Sequence, residues 1–115
     1  MKIHLHRIYE EDGPHGYRVL VDRLWPRGIS REKADLDAHW KELAPSDHLR
    51  KWFGHDPEKW KGFRKEYLSE LSLLKERAKE LLKNIPGHQL VLLYAAKDKK
   101  HTHALILKEY LEKLE

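Results

Sequence analysis

The spacing of apolar residues along the chain predicts three strands. Between positions 3 and 9, apolar and polar residues alternate, which is typical of a strand buried on one face. Positions 17–24 and 90–96 carry apolar residues consecutively, so these two strands are expected to be buried on both faces. Residues 35–43 fit either a strand or a helix, and the two-residue spacing of their apolar positions favours a strand.

Capping residues predict two short helices in the middle of the chain. Ser30 can begin the first, which would be only about one turn long. Ser46 is a suitable N-cap for the second, over residues 47–53, and Gly54 is its natural C-terminal stop. Both boundaries follow from local hydrogen bonding, because a serine hydroxyl satisfies exposed helix amides and glycine accepts a left-handed backbone.

Two longer amphipathic helices complete the pattern. Asp56 and Pro57 are typical of a helix start, and apolar residues then recur at three- and four-residue steps to position 81. We expect an interruption near Ser72. Thr102 is predicted to cap the final helix, which again carries one apolar face.

These elements predict one α/β domain over residues 1–115. Because the strands buried on both faces are separated by helices, we expect a small three-layer sandwich with a largely parallel sheet and flanking helices. A length of 115 residues matches a single core, and no repeat or linker divides the chain.

Composition narrows the class of protein. There are no cysteines, which excludes disulfides and thiolate zinc sites. No apolar run is long enough to span a bilayer and no apolar leader follows Met1, so we expect a cytoplasmic protein without membrane attachment. The charged fraction of 37%, with a single methionine, is typical of proteins from hot environments. The net charge of +4 suits an anionic partner, although acidic residues are interleaved throughout.

Candidate chemistry lies in two loops, at residues 22–30 and 97–103. Ligands of open parallel sheets bind beyond the carboxyl ends of the strands, and both loops follow such ends. Arginine and lysine side chains together with a helix N-terminus favour phosphate or carboxylate groups. The sequence therefore predicts an anion site at the helix start near Thr102, to which the loops deliver Asp22, Arg23, Arg27, Lys97, Lys99, Lys100, His101 and His103.

Two of these residues, His103 and Asp22, are candidates for a catalytic role. His103 lies in the first turn of a helix, where the dipole favours a neutral imidazole that accepts a proton, and Asp22 can orient an arginine. Each also has a structural reading, His103 as a capping residue and Asp22 as an ion-pair partner at the sheet rim. Neither His-x-His pair, at 4–6 or 101–103, has an identified third ligand, so no metal site is predicted. No motif identifies a cofactor.

Several stretches carry a family resemblance. The sequence GYRVLVDRLWPRG at 16–28, the Ala-Pro-Ser at 44–46 and LLYAAK at 92–97 resemble the YeaO-like branch of an uncharacterised family, domain of unknown function 488. The resemblance covers nearly the whole chain. It implies a cleft between the two loops and adds Ser46, Arg50 and His55 as candidate site residues.

The resemblance supplies no reaction, since the family has no assigned activity. Longer relatives are similar in carrying a Cys-His-Arg at the start of a late helix, where this chain has Thr102, His103 and Ala104. They also carry a cysteine where this chain has Tyr94. Only His103 matches, so any chemistry that depends on those thiols is not implied here.

Three functions remain open from the sequence. The first is binding, with or without catalysis through His103, of a small phosphorylated or nucleotide-like ligand. The second is a nucleic-acid-binding module that uses basic residues of the two middle helices, with Trp52 or Trp60 for base stacking. The third is a non-enzymatic protein-interaction domain whose long helix is the interface. The sequence does not define the oligomeric state.

Overall fold

A four-stranded, all-parallel sheet organises the chain in the computed structural model, which describes residues 1–115. The strand order across the sheet is β1-β4-β2-β3, so the last strand of the chain is inserted between the first two. The sheet consists of β1 (Lys2–Arg7), β2 (Tyr17–Leu20), β3 (Ala38–His39) and β4 (Gln89–Tyr94).

Five helices connect or follow the strands. They are α1 (Arg31–Ala34), α2 (Asp47–Phe53), α3 (Trp60–Ser72), α4 (Lys75–Lys83) and α5 (His103–Leu114). Single turns of 3₁₀-helix at Lys41–Leu43 and Pro57–Lys59 precede α2 and α3.

The two faces of the sheet are covered unequally. A cluster of 19 buried residues joins one face to α2, α3, α4 and α5, and includes Leu90, Leu92 and the fully buried Tyr67. On the other face, Val91 and Leu93 belong to a cluster of six buried residues that α1 and its flanking loops cover. Consecutive β4 residues thus point to different cores, which confirms the predicted α/β sandwich with a parallel sheet.

Most predicted boundaries agree with the structure. The Ser46 hydroxyl accepts a hydrogen bond from Leu49 N, and Gly54 ends α2 in the left-handed conformation with φ 52°. The interruption near Ser72 separates α3 from α4, and Thr102 caps α5.

Two strand predictions need correction. The strand predicted over 17–24 ends at Leu20, because the chain leaves the sheet after one further bond, from Val21 N to Leu93 O. Residues 35–43 hold only the two-residue strand β3, and Trp40 N donates to Leu20 O before the chain turns into a 3₁₀-helix.

Candidate anion-binding site

A cavity lies at the carboxyl end of the sheet, where the loops after β2 and β4 meet. Leu20 and Leu93 are directly paired at the ends of these parallel strands, so the segments that follow them diverge from a common point. The cavity has a volume of about 550 Å³. It is lined by Asp22, Arg23, Leu24, Pro45, Arg50, Phe53, His55, Phe63, Ala95, Ala96, Lys97, Asp98, His101, Thr102 and His103.

Asp22 and His103 form a polar pair in the cavity wall. His103 Nε2 lies 2.9 Å from Val21 O and 3.5 Å from Asp22 Oδ1. Because a carbonyl oxygen only accepts, Nε2 carries the proton in this arrangement, and His103 Nδ1 is left as the acceptor. Asp22 Oδ2 accepts a hydrogen bond from Ala95 N at 3.1 Å, which ties the loop after β2 to the loop after β4.

Burial raises the pKa of the Asp22 carboxyl above its ordinary value. The nearby His103 imidazole and the Ala95 N–H oppose this increase in the pKa. Asp22 Oδ1 is enclosed and makes no hydrogen bond, so a negative charge on this carboxylate is only partly compensated. The folded protein therefore favours the protonated form of Asp22 more strongly than the unfolded chain does.

Arg23 joins the cavity wall to the segment before α2. Its Nε donates to Pro45 O at 3.2 Å and its Nη2 to Ala44 O at 3.4 Å. A guanidinium has five N–H groups, so three remain for other acceptors. Arg23 consequently positions one wall of the cavity and still offers positive charge to it.

Arg50 contributes a second guanidinium from α2. Its Nη2 donates to the carboxylate of Asp47, one turn earlier, and Lys51 pairs with the other oxygen of that carboxylate at 3.0 Å. Hydrogen bonds from Arg50 and Lys51 lower the pKa of Asp47. Arg50 Nε is buried without a partner. The Arg50 guanidinium therefore keeps one unused N–H donor beside the cavity. Its only partner is the exposed carboxylate of Asp47.

Lys97 and the start of α5 complete the positive side of the cavity. Lys97 is exposed and forms no ion pair, whereas Lys99 in the same loop is bound to Glu10 at 2.8 Å. Thr102 is buried, and its hydroxyl accepts a hydrogen bond from Ala104 N at 3.3 Å. The N-terminal end of a twelve-residue helix thus borders the cavity, and the partial positive charge of such an end favours anions.

His101 lies on the same wall in a defined orientation. Its Nδ1 is 2.7 Å from Asp98 Oδ2, and its ring meets the Trp60 ring edge-on, with centroids 5.4 Å apart. The hydrogen bond from His101 lowers the pKa of the Asp98 carboxyl. His101 is among the side chains that the sequence places at this edge, whereas Asp98 is not predicted from the sequence. Their three-residue spacing directly before a helix cap is the local signal that could have indicated the pair.

Aromatic and aliphatic side chains form the rest of the wall. Phe53 and Phe63 stack with centroids 4.2 Å apart, and Leu24 is 59% exposed. His55 has a positive φ of 58° after Gly54, and its ring lies 6.2 Å from that of Phe53. The cavity therefore combines an apolar surface with three cationic side chains.

Four residues expected at the site do not line the cavity, namely Arg27, Ser46, Lys99 and Lys100. Arg27 is exposed, and its carbonyl accepts a hydrogen bond from the Tyr9 hydroxyl at 2.7 Å, which holds the turn toward the end of β1. The expectation that Arg27 joins His103 in this cavity is corrected accordingly. Ser46 Oγ donates to Glu70 Oε2 at 2.6 Å and caps α2, so its hydroxyl is engaged in the scaffold.

Several basic side chains of α2, α3 and the 3₁₀ turn between them are paired within the chain, whereas Lys61 and Lys65 are exposed and form no ion pair. Arg64 contacts Glu109 at 2.7 Å, and Lys59 donates to Trp52 O at 3.0 Å while its ammonium covers the Trp52 ring. Trp60 packs against Phe53 and so is not a free stacking platform. These contacts leave fewer basic side chains and aromatic rings free to bind a nucleic acid.

The fold presents neither a cluster of metal-ligating side chains nor a membrane-spanning helix. No group of three or more histidine, aspartate or glutamate side chains is arranged to hold a metal ion. None of the helices combines the length and apolar character required to cross a membrane.

Comparison with known proteins places the chain in a family. The family model described as "Inactive DUF488-N3 subclade" matches residues 2–115, and the chain therefore belongs to the DUF488 family. It is 41% identical over 115 residues to uncharacterized protein YeaO of Escherichia coli (strain K12), covering 99% of this chain and 100% of that protein. The predicted YeaO-like resemblance is thus confirmed.

Mycobacterial relatives are more distant. Uncharacterized protein Rv3073c of Mycobacterium tuberculosis (strain H37Rv) is 34% identical over 112 residues, which cover 96% of this chain and 93% of that protein. Uncharacterized protein Mb3100c of Mycobacterium bovis has the same identity and coverage. No solved structure matches the chain.

Proposed function

We propose that the protein binds a small phosphorylated or nucleotide-like molecule in the cavity at the carboxyl end of β2 and β4. The observation that carries this proposal is the convergence of Arg23, Arg50 and Lys97, from three separate segments, on a cavity that also borders the start of α5. Each of these groups favours negative charge, and guanidinium groups suit phosphate oxygens in particular.

The volume of the cavity and its apolar wall favour a ligand larger than an inorganic anion. A cavity of about 550 Å³ falls within the range used for small-molecule ligands. Phe53, Phe63 and Leu24 provide apolar surface beside the cationic groups. A molecule with a flat or apolar body and one anionic end fits this division of the wall better than phosphate alone.

Binding is proposed here without bond cleavage. The matching family model is described as an inactive subclade, which agrees with a binding role. Catalysis by His103 with Asp22 stays a prediction, and its proton-accepting atom would be Nδ1, since Nε2 is directed at Val21 O. The nucleic-acid and protein-interaction functions also stay predictions.

Calorimetric titration with adenosine monophosphate, ribose 5-phosphate and adenosine tests the proposal. We expect both phosphorylated compounds to bind and adenosine to bind much more weakly, because only the former present an anion. Lys97→Ala should weaken binding about tenfold, the effect of losing one charge-assisted hydrogen bond.

Lys100→Ala is the matched control, since Lys100 is an exposed lysine of the same loop that does not line the cavity. Equal affinity for adenosine and its monophosphate would contradict the proposal. So would an unchanged affinity in Lys97→Ala combined with Arg50→Ala.

A further inference from the structure

His101 is held from two sides and presents one free ring nitrogen. Asp98 binds Nδ1 at 2.7 Å, and the edge-on contact with Trp60, at an interplanar angle of 82°, restricts rotation of the ring. Asp98 is itself fixed, because its Oδ1 accepts a hydrogen bond from Lys100 N at 2.9 Å. His101 is 30% exposed and lines the cavity, so this immobilised imidazole belongs to the ligand-facing surface.

The hydrogen bond to Asp98 decides what the free nitrogen can do. A carboxylate only accepts, so Nδ1 carries a proton. Nε2 is then an acceptor in the neutral imidazole and a charged donor in the imidazolium. An imidazolium placed between the Asp98 carboxylate and a bound anion would be stabilised from both sides.

His101, just before α5, and His103, its first residue, therefore differ in whether a ring nitrogen is free to bind a ligand. His103 Nε2 is directed at Val21 O and Asp22, whereas His101 Nε2 makes no hydrogen bond within the chain. Besides Asp98, the ionisable groups that share the cavity with His101 come from the loop after β2, from α2 and its end, and from the loop before α5. They are Asp22, Arg23, Arg50, His55, Lys97 and His103.

We infer that His101 binds the anionic group of the ligand through Nε2 and takes up a proton in doing so. This inference rests on the proposed function and adds to it a pH-dependent binding residue. Asp98 acts as the positioning residue, because it fixes the ring and favours the charged form. Binding then strengthens as the pH falls through the range in which histidine ordinarily titrates.

Sulfate titrations across a pH series test this inference, because sulfate itself does not change charge between about pH 5.5 and 8.5, the range that spans histidine titration. Affinity of the wild-type protein should fall as the pH rises, by up to tenfold per unit for one linked proton. His101→Gln should flatten this dependence and bind more weakly at low pH. Asp98→Asn should move the decrease in affinity to lower pH.

Two control variants separate His101 from other histidines. His88→Gln alters an exposed histidine at the opposite end of β4 and should leave the pH profile unchanged. His103→Gln alters the cavity wall itself and should change the affinity for sulfate, but the dependence of that affinity on pH should persist. Urea unfolding of each variant checks that the fold is preserved.

The outcomes distinguish the two proposals. If sulfate binds with the same pH profile in His101→Gln, or if His103→Gln abolishes the dependence instead, the inference about His101 is overturned while anion binding stands. If neither sulfate nor adenosine monophosphate binds the wild-type protein at any pH, the proposed function fails and the inference fails with it.

Discussion

The imidazole of His103 lies 3.5 Å from the carboxylate of Asp22, so the loop after β2 and the first turn of α5 contact each other directly. Ala95 N donates to the second oxygen of the same carboxylate, and Val21 O lies 2.9 Å from the same imidazole. These contacts join the ends of two parallel strands and form the base of the cavity. An acidic residue at this position thus has a structural role whatever the cavity binds.

Asp22→Asn should change how stability depends on pH. Burial raises the pKa of Asp22 in the folded protein, so the native state holds a proton that the unfolded chain releases, and stability falls as the pH rises above the ordinary aspartate range. Asparagine does not titrate and can still accept from Ala95 N. The variant should therefore gain stability relative to wild type as the pH rises from about 4 toward neutral.

Urea unfolding of both proteins at several pH values measures this difference. Asp12→Asn is the control, since Asp12 is exposed and its φ of 56° is one that asparagine tolerates. A constant difference between wild type and Asp22→Asn over this range would show that Asp22 titrates normally.

Arg23→Ala should lower the free energy of unfolding by about 2 kcal/mol, because it leaves the partly buried carbonyls of Ala44 and Pro45 without their donors. Arg27→Ala is the matched control, with an expected change below about 0.5 kcal/mol, since the Tyr9 hydroxyl contacts only the backbone of Arg27. Chemical denaturation measures both, and equal losses would contradict the positioning role of Arg23.

Asp47→Asn should strengthen sulfate binding. The exposed pair between Asp47 and Arg50 holds one end of the guanidinium, so its loss frees this end for the anion, and the gain in affinity is modest because water screens exposed pairs. Glu76→Gln removes a negative charge from α4 and is the control for a general charge effect. Weaker or unchanged binding in Asp47→Asn would show that Asp47 does not compete with the anion.

Ser46→Ala should destabilise the fold by about 1–2 kcal/mol, because the hydroxyl both caps α2 and donates to Glu70. Ser72→Ala removes an exposed hydroxyl that donates to Ser69 O and should cost less than about 0.5 kcal/mol. Thermal unfolding compares the two variants. Similar losses would indicate that the contact between Ser46 and Glu70 contributes nothing measurable.

The sequence predicted those parts of the fold that depend on neighbouring residues. The caps at Ser46 and Thr102 and the stop at Gly54 are set by hydrogen bonds within one helical turn, so their residue types were sufficient. The strand predicted over 90–96, which is β4 (Gln89–Tyr94) in the structure, was evident because both of its faces meet a core. The length of β2 was not predictable, because it depends on where the chain leaves the neighbouring strand.

The candidate site was predictable only in part, for the same physical reason. Asp22, Arg23, Lys97, Thr102 and His103 line the cavity as expected, since parallel strands bring both loops to one edge. The position of the Arg27 backbone depends on a long-range hydrogen bond from Tyr9, which no local pattern reveals. His101 is predicted at this edge from its loop alone, whereas its orientation by Asp98 and Trp60 is evident only in the structure.

The most direct test of the anion-binding cavity is a ¹⁵N–¹H NMR titration with sulfate below neutral pH. If sulfate binds in the cavity, we expect the amide chemical shifts to change only at residues 22–24, 50–55 and 95–103, which surround the cavity. Shifts centred instead on the exposed basic residues of α3, or no shifts at any residue, would contradict it.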